Sequence, residues 1–464
     1  MATNDFEPAR LIPVAGIKGA KEAEDRATSA LLSVMSIVPS LCRSLLVPLG
    51  CTSAKKAKVS TYVGPGFRTN DDRLVRPDGL IRVEVAQRVA FEALVEVKTG
   101  LNKLSADQVN DYLEVARAEG IDCVITISNE IAPSPGVHPT PGLKVRSNSK
   151  TQVQHLSWVL ILAEAVKEHS HRGIDDPEQA WIVGELIRYL THEKSGVLDF
   201  ADMGDNWSDV LEGATNGSLS RRSPEVAEIC QRWDQLLRFT TLKLGSEIGA
   251  DVTEVIPRSH RQNPQLRNKE FVTSLCTDGV LTGVLRVPDG AGDLSVSVDL
   301  KARKIMVSTQ LAAPDDRTPR AAIVWLVRQM KNAPESVLVD VYQKSGRIPV
   351  TESLKQLRED PKAGLPDSKQ PPGKFLIRQQ SNMGTGRRST RRKGFIDSVV
   401  DAVIEFYGNV FQDLQAFVPR APTLERHQKP DGRGTNTSGQ NETSAVPSGP
   451  GSASGRPSYL GADH

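Results

Sequence analysis

Asp78, Glu96 and Lys98 combine residue types and a spacing that can support hydrolysis. A hairpin that turns near Gln87-Arg88 would bring Asp78 opposite Glu96, because cross-strand neighbours lie about 5 Å apart. Two carboxylates at that distance can share one divalent cation, and oxygen ligands of this kind suit magnesium. Glu96 and Lys98 are two residues apart on a strand and face the same side, where the lysine can orient water and stabilise charge on a phosphate. The pattern predicts metal-assisted phosphodiester hydrolysis, with magnesium or manganese as cofactor.

These residues resemble the signature of the PD-(D/E)XK nuclease superfamily, with Pro77-Asp78 as the first half and Glu96-Val97-Lys98 as the second. The segment from Gln108 to Tyr112 resembles the Q-x-x-x-Y motif that follows the catalytic lysine in RecB-like and lambda-exonuclease-like members. Glu24 lies where the family often has a carboxylate on its first helix. The resemblance covers residues 18–130.

The resemblance implies a role for each matching residue. Asp78 and Glu96 would hold the metal, with the Val97 carbonyl as a further ligand. Lys98 would assist the attacking water. Glu24 would position metal or water, and the residues that touch the substrate strand or brace the site would be Gln108 and Tyr112. The implied substrate is nucleic acid, with DNA expected rather than RNA.

Each of these residues also has an ordinary structural interpretation. Asp78 in Pro-Asp-Gly can be a simple turn residue, and Glu96 with Lys98 can form an exposed edge-strand face. Gln108 can serve only as part of a capping box with Ser105. Tyr112 can belong purely to the core, and the position given to Glu24 can be taken by either of two nearby acidic residues, Glu22 or Asp25.

The elements predicted around these residues form an α/β unit. Apolar residues recur at helical spacing from Lys18 to about Leu49, with Pro39 dividing the helix. β-Branched residues mark strands between Asp78 and Lys98. A helix then runs from Ser105 to Gly120, and a buried strand follows. With the resemblance, this order predicts a restriction-endonuclease-like αβββαβ core within a nuclease-like domain of residues 1–165.

The rest of the chain is predicted to be more varied. Asp176-Pro177 begins a helix that runs through Leu190. The expected organisation is a helical connector over 166–239, a smaller α+β domain over 240–345, a linker with a basic block over 346–393, an amphipathic helix over 394–418, and a disordered tail over 419–464.

Composition limits the function classes further. Lys+Arg 58 against Asp+Glu 56 gives a net charge of +2 over 464 residues, so any nucleic-acid surface must come from local clusters of charge. Two basic clusters can contact phosphates or be plain solvated surface; the first is Arg258, His260, Arg261, Arg267 and Lys269, and the second is Arg387, Arg388, Arg391, Arg392 and Lys393.

Targeting and redox features indicate a cytoplasmic protein. Five cysteines without C-x-x-C spacing disfavour a disulfide framework and a zinc finger, and they suit a reducing compartment. Met1–Arg10 is polar, so no signal peptide is expected. The apolar stretch over 31–49 is too interrupted for an integral membrane span.

Two further functions are compatible with the sequence. The first is a non-catalytic binding protein with the nuclease fold, acting in a stress-response, DNA-maintenance or defence complex; a dead site would not bind magnesium or manganese. The second gives the functional role to the C-terminal half, where the helix over 394–418 would dock a protein partner or a membrane surface.

Overall fold

The N-terminal half of the chain forms a five-stranded mixed sheet with helices on both faces. The structure is a computed structural model, and it describes residues 10–14, 16–52, 56–69, 71–132, 137–145, 149–344, 346, 348–365, 370–389 and 394–418. The predicted disordered tail over 419–464 lies outside these residues. The strands of this half are β1 Lys58–Val63, β2 Phe67–Arg68, β3 Leu74–Val75, β4 Gly79–Val85, β5 Arg88–Val97, β6 Cys123–Ser128 and β7 Gln152–Ser157.

The sheet has the order β1-β4-β5-β6-β7, while β2 and β3 pair separately. β1, β4 and β5 are antiparallel neighbours, and β5, β6 and β7 run parallel. The predicted hairpin is confirmed: Ala86 and Gln87 both have positive φ, at 50° and 62°, as a tight two-residue turn requires. β5 lies at the centre of the sheet, so the edge-strand interpretation of Glu96 and Lys98 is wrong.

Five helices cover this sheet: α1 Ala20–Ile37, α2 Pro39–Leu46, α3 Ala106–Glu119, α4 Trp158–Lys167 and α5 Pro177–Leu190. α3 packs one face through Val109, Leu113 and Ala116. The other helices bury the opposite face, which includes Val95 and Ile125. Among the described residues no single helix is long and apolar enough to cross a membrane; Ala20–Ile37 and Pro39–Leu49 pass the length and composition test only as a pair, bent by 110°.

The C-terminal half forms a second, seven-stranded sheet in which all neighbours are antiparallel. Its order is β13-β12-β14-β11-β10-β9-β8. The strands are β8 Thr253–Glu254, β9 Val280–Arg286, β10 Asp293–Asp299, β11 Lys304–Ala312, β12 Leu338–Gln343, β13 Val350–Ser353 and β14 Pro372–Asn382. The helices are α6 Trp207–Asn216, α7 Pro224–Ile248, α8 Arg258–Gln262, α9 Pro264–Asp278, α10 Pro319–Gln329, α11 Leu354–Glu359 and α12 Phe395–Asn409. The prediction of a mixed α/β chain is confirmed.

The segment expected as a linker over 346–393 differs from that expectation. It contains β13, α11 and β14, and β14 pairs with both β11 and β12, so it lies inside the sheet. Pro372 is tolerated because it stands at the first position of its strand. β14 is difficult to predict because it follows a Pro/Gly/Ser-rich segment. The buried apolar residues of the strand, Phe375 and Ile377, form only a short alternating pattern.

The predicted helix over 394–418 is present as α12 but ends at Asn409, and its apolar face is not available to a partner. Phe395, Val399, Val403 and Phe406 are buried in the core of the second sheet. Phe395 also stacks on Trp207 with ring centroids 4.3 Å apart. A docking role for this apolar face is therefore wrong, because the chain itself covers it.

Candidate active site

The turn before β4 and the end of β5 place Asp78 beside Glu96. Gly79 pairs with Val95, so the two acidic residues lie at the same end of the hairpin. The Val97 amide donates a hydrogen bond of 2.8 Å to Asp78 Oδ2. This bond fixes the carboxylate against β5, and Asp78 is therefore more than a turn residue.

Gly79 explains why helix α1 can approach this turn closely. A Cβ atom at Gly79 would lie 2.5 Å from Leu32 Cδ1 and 3.2 Å from the Tyr62 carbonyl oxygen. Both distances are shorter than ordinary van der Waals contact, so only glycine fits without a shift. The Pro-Asp-Gly sequence thus serves the packing of α1 as well as the turn.

Lys98 connects the end of β5 to α1. Its ammonium donates hydrogen bonds of 2.6 Å to Glu96 Oε1, 3.0 Å to the Val97 carbonyl and 3.3 Å to Glu24 Oε1. The lysine side chain is only 15% exposed, and both carboxylates are buried. The site therefore combines one largely buried cation with three oxygen atoms from two elements.

Among the acidic residues at the start of α1, the structure places Glu24 in the site. Glu24 is buried, whereas the Asp25 side chain is 61% exposed and Glu22 pairs with Arg26 at the surface. The helical period explains the difference, because only Glu24 lies on the face that packs against the sheet.

Glu96 is the most constrained residue of the site. It is fully buried, and its Oε2 atom has no hydrogen-bond partner among the described residues. Burial raises its pKa to about 7, and the nearby charge of Asp78 adds to the rise, while Lys98 opposes it. For Lys98, burial lowers the pKa, but the hydrogen bond and charge of Glu96 outweigh it and the pKa is raised. The Glu96 carboxyl therefore titrates near neutral pH, whereas Lys98 keeps its positive charge there.

Gln108 and Tyr112 brace the turn that carries Asp78. Gln108 Nε2 donates to the Tyr112 hydroxyl over 2.9 Å, and that hydroxyl donates to the Arg76 carbonyl over 3.1 Å. Tyr112 is almost fully buried, and burial raises its pKa. The expected capping box is wrong, because Ser105 makes no side-chain cap and the Gln108 amide is directed to the tyrosine.

Lys21 also lies at the site, and no sequence pattern predicts its approach to Asp78. Its ammonium lies 2.8 Å from Asp25 Oδ1, 3.7 Å from Glu24 Oε1 and 3.9 Å from Asp78 Oδ1. The i+3 and i+4 spacing to the acidic residues can be read from the sequence. The approach to Asp78 depends on the packing of α1 against the turn.

A buried polar row that sequence reasoning missed continues from Glu96 across the parallel strands. Glu96, Thr126 and His155 are in-register neighbours on β5, β6 and β7. His155 Nε2 donates to the Glu130 carbonyl over 2.7 Å, so its Nδ1 is the acceptor that faces the Thr126 hydroxyl at 3.0 Å. His138 Nε2 lies 2.8 Å from the same hydroxyl. Burial lowers the pKa of each histidine to about 4, so both are neutral at pH 7.

The donor set fits an oxygen-ligated cation only in part. Glu96 Oε2 is a buried oxygen that makes no hydrogen bond within the described part of the chain, and the Val97 carbonyl and Asp78 supply further oxygens of the type magnesium prefers. Across the part of the chain that the structure describes, however, no group of three or more His, Cys, Asp or Glu residues is arranged to hold a metal ion. Magnesium would therefore rely on few protein ligands and on several waters.

The basic clusters differ in what they can contact. In the first cluster Arg267 is buried and pairs with Asp234 and Glu254, so it stabilises the second half instead of facing a phosphate. In the second cluster Arg387 and Arg388 pair with Asp202. The remaining members, Arg391, Arg392 and Lys393, lie outside the described residues.

No protein-family model, curated protein or solved structure matches this chain. Its chemistry is therefore inferred from the contacts around Lys98.

Proposed function

We propose that this chain is a magnesium-dependent nuclease of the PD-(D/E)XK type that hydrolyses phosphodiester bonds, with DNA as substrate. The observation that carries the proposal is the convergence on Lys98 of Glu96, the Val97 carbonyl and Glu24, with Asp78 tied to the same strand end. A buried lysine among carboxylates beside a turn is costly to maintain for structure alone. When α2 and the separate β2–β3 pair are set aside, the order α1, β1, β4, β5, α3, β6 supports the proposal, since the superfamily's core is αβββαβ.

In this proposal Asp78, Glu96 and the Val97 carbonyl would hold magnesium, which would stabilise negative charge on the phosphate. Lys98 orients the attacking water and donates hydrogen bonds to the charged phosphate oxygens. Glu24 holds the Lys98 ammonium at the end of β5 when Glu96 serves as a magnesium ligand. The Gln108–Tyr112 pair holds the Arg76 carbonyl and, through it, the position of Asp78.

Cytoplasmic localisation belongs to the same proposal. All five cysteines are free thiols, and four of them are buried. Free, buried thiols are typical of proteins from reducing compartments.

The non-catalytic function has one observation in its favour. Lys98 is fully paired with the carboxylates that a metal would need, and the described residues contain no arranged group of three metal ligands. A binding protein with this fold would keep the ion pair as a purely structural element. Metal binding separates the two functions, because only the nuclease needs a cation at Glu96.

The direct test is cleavage by the full chain. Linear duplex DNA, single-stranded DNA and RNA would each be incubated with the protein across a magnesium and manganese titration. Lys98→Ala should remove cleavage, while Lys58→Ala, an exposed lysine on β1 of the same sheet, should leave it unchanged. Equal activity of Lys98→Ala and the parent protein at every metal concentration would reject hydrolysis at this site. Cleavage of RNA alone would reject DNA as the substrate.

A further inference from the structure

A cavity of about 480 Å³ opens in the C-terminal half of the chain, away from Lys98. Four charged residues from four elements line it: Arg238 on α7, Glu254 on β8, Arg261 on α8 and Arg286 on β9. Its volume lies within the range of small-molecule sites. None of the residues proposed for hydrolysis contributes to its wall.

Glu254 presents an unused acceptor at this cavity. Arg267 Nη2 donates to Glu254 Oε2 over 2.7 Å, which leaves Oε1 as the other oxygen. That oxygen is buried and lacks a hydrogen-bond partner among the described residues; Arg238 Nε lies 3.6 Å from it. Only 5% of the side chain is exposed. A buried carboxylate oxygen without a donor is unfavourable, so a ligand that supplies an N–H or O–H would stabilise it.

Arg238 presents the matching unused donor. Its Nη1 donates to the Ala132 carbonyl, whereas its Nη2 is buried and has no acceptor among the described residues. Arg238 and Glu254 form an ion pair, with Nε 3.6 Å from Oε1. Together they offer the cavity one donor and one acceptor that make no hydrogen bond with a described residue. This arrangement is complementary to the edge of a nucleobase, where a ring or carbonyl acceptor stands next to an N–H donor.

The two other arginines give the cavity its anion-binding capacity. Arg261 is exposed, and its side chain makes no ion pair or hydrogen bond with another described residue. Arg286 uses Nε and Nη2 on Asp293, at 2.8 Å each, and keeps Nη1 available. Guanidinium groups bind phosphate oxygens through strong, charge-assisted hydrogen bonds.

We propose that this arginine cavity binds a nucleotide, with its base edge on Arg238 and Glu254 and its phosphate on Arg261 and Arg286. The same chemistry is offered by a free nucleoside monophosphate and by the 5′-phosphorylated end of a strand. The site is separate from Lys98, so it stands whether or not the chain cleaves DNA.

Calorimetric titration of the full chain with GMP, in EDTA, tests the proposal without a contribution from metal-bound substrate. GMP should bind, because guanine O6 and N1–H supply the missing acceptor and donor. Guanosine and ribose 5-phosphate should each bind at least about tenfold more weakly, since each retains only one half of the contacts. Ribose 5-phosphate binding as tightly as GMP, or no binding of any of the three, would overturn the site.

Variants separate the contacts from general effects on folding. Arg261→Ala should weaken GMP about tenfold and leave guanosine unchanged, because this exposed arginine contacts only the phosphate. Arg320→Ala removes an exposed arginine on α10 outside the cavity and should bind GMP like the parent protein. Unchanged GMP affinity in Arg261→Ala would remove the phosphate assignment.

A 5′-phosphorylated oligonucleotide and its 5′-hydroxyl counterpart distinguish the two ligand sources. Tighter binding of the phosphorylated strand than of GMP, lost in Arg261→Ala, would assign the cavity to a strand end. Binding of GMP with no preference between the two oligonucleotides would assign it to a free nucleotide. Binding of both oligonucleotides but not of GMP would reject the cavity as a nucleotide site.

Discussion

Burial of Glu96 should make this protein less stable as the pH rises, which is the opposite of the usual effect of a paired carboxylate. In the folded chain the pKa of Glu96 is raised from its ordinary value of 4.5 to about 7. Between those values the folded protein keeps a proton that the unfolded chain has lost, so stability falls with pH in this window. The full difference corresponds to about 3 kcal/mol, reached above pH 7.

Glu96→Gln isolates this effect, because the amide has nearly the same shape and no titration. Denaturant unfolding of both proteins at pH 5, 6, 7 and 8 should show the parent losing about 2 to 3 kcal/mol relative to the variant between pH 5 and pH 8. Subtracting the two free energies of unfolding at each pH removes the contribution of His138 and His155. These histidines are present in both proteins and make stability rise with pH, the opposite of the Glu96 effect.

Leu94→Met on the same strand is the matched control, since a neutral substitution should shift stability by an amount that does not depend on pH. A parallel pH dependence in the parent and in Glu96→Gln would refute the claim that Glu96 is buried with a raised pKa. Manganese should flatten the parent curve, because a bound cation favours the ionised carboxylate.

Four further predictions concern the same half of the chain. Manganese at 100 times its dissociation constant should stabilise the parent by about 2.7 kcal/mol in thermal melts, and Asp78→Asn should lose most of this gain; no metal response in the parent would remove the catalytic site. Gly79→Ala should cost about 1 to 3 kcal/mol in denaturant unfolding, since its methyl group would meet a leucine of α1; unchanged stability would contradict that contact. Tyr112→Phe should cost about 1 kcal/mol, weaken metal binding and slow cleavage, because the hydrogen bond to the Arg76 carbonyl that positions Asp78 is lost; full activity with unchanged metal affinity would argue against bracing. His155→Gln should reduce the loss of stability that the parent suffers as pH falls from 6.5 to 4, because the buried histidine is neutral in the fold and charged in the unfolded chain; identical acid sensitivity would contradict its burial.

Local chemistry made several parts of this structure predictable from the sequence. Pro39 divides the first helix because it cannot donate a backbone hydrogen bond, and Gly120 ends α3 with a φ of 73° that favours glycine. β-Branched residues predict β4 and β5, and the short turn between them places Asp78 at the end of the hairpin that carries Glu96. Each of these features depends on residues that are close in the chain.

Tertiary packing decided the features that depend on residues far apart. Glu24 became the site carboxylate because α1 turns that face, and not the face of Asp25, toward Lys98. His155 joined the row behind Glu96 because parallel pairing aligned β7 with β6.

β14 was missed for the same reason. It lies in a sequence that resembles a linker, and its partners β11 and β12 are what give it a place in the sheet. α12 was recognised as a helix, but the periodicity of its apolar face could not show that this chain's own core would cover it. A sequence pattern shows which face of a segment must be buried. Which other segment covers that face depends on how all segments pack together in the core.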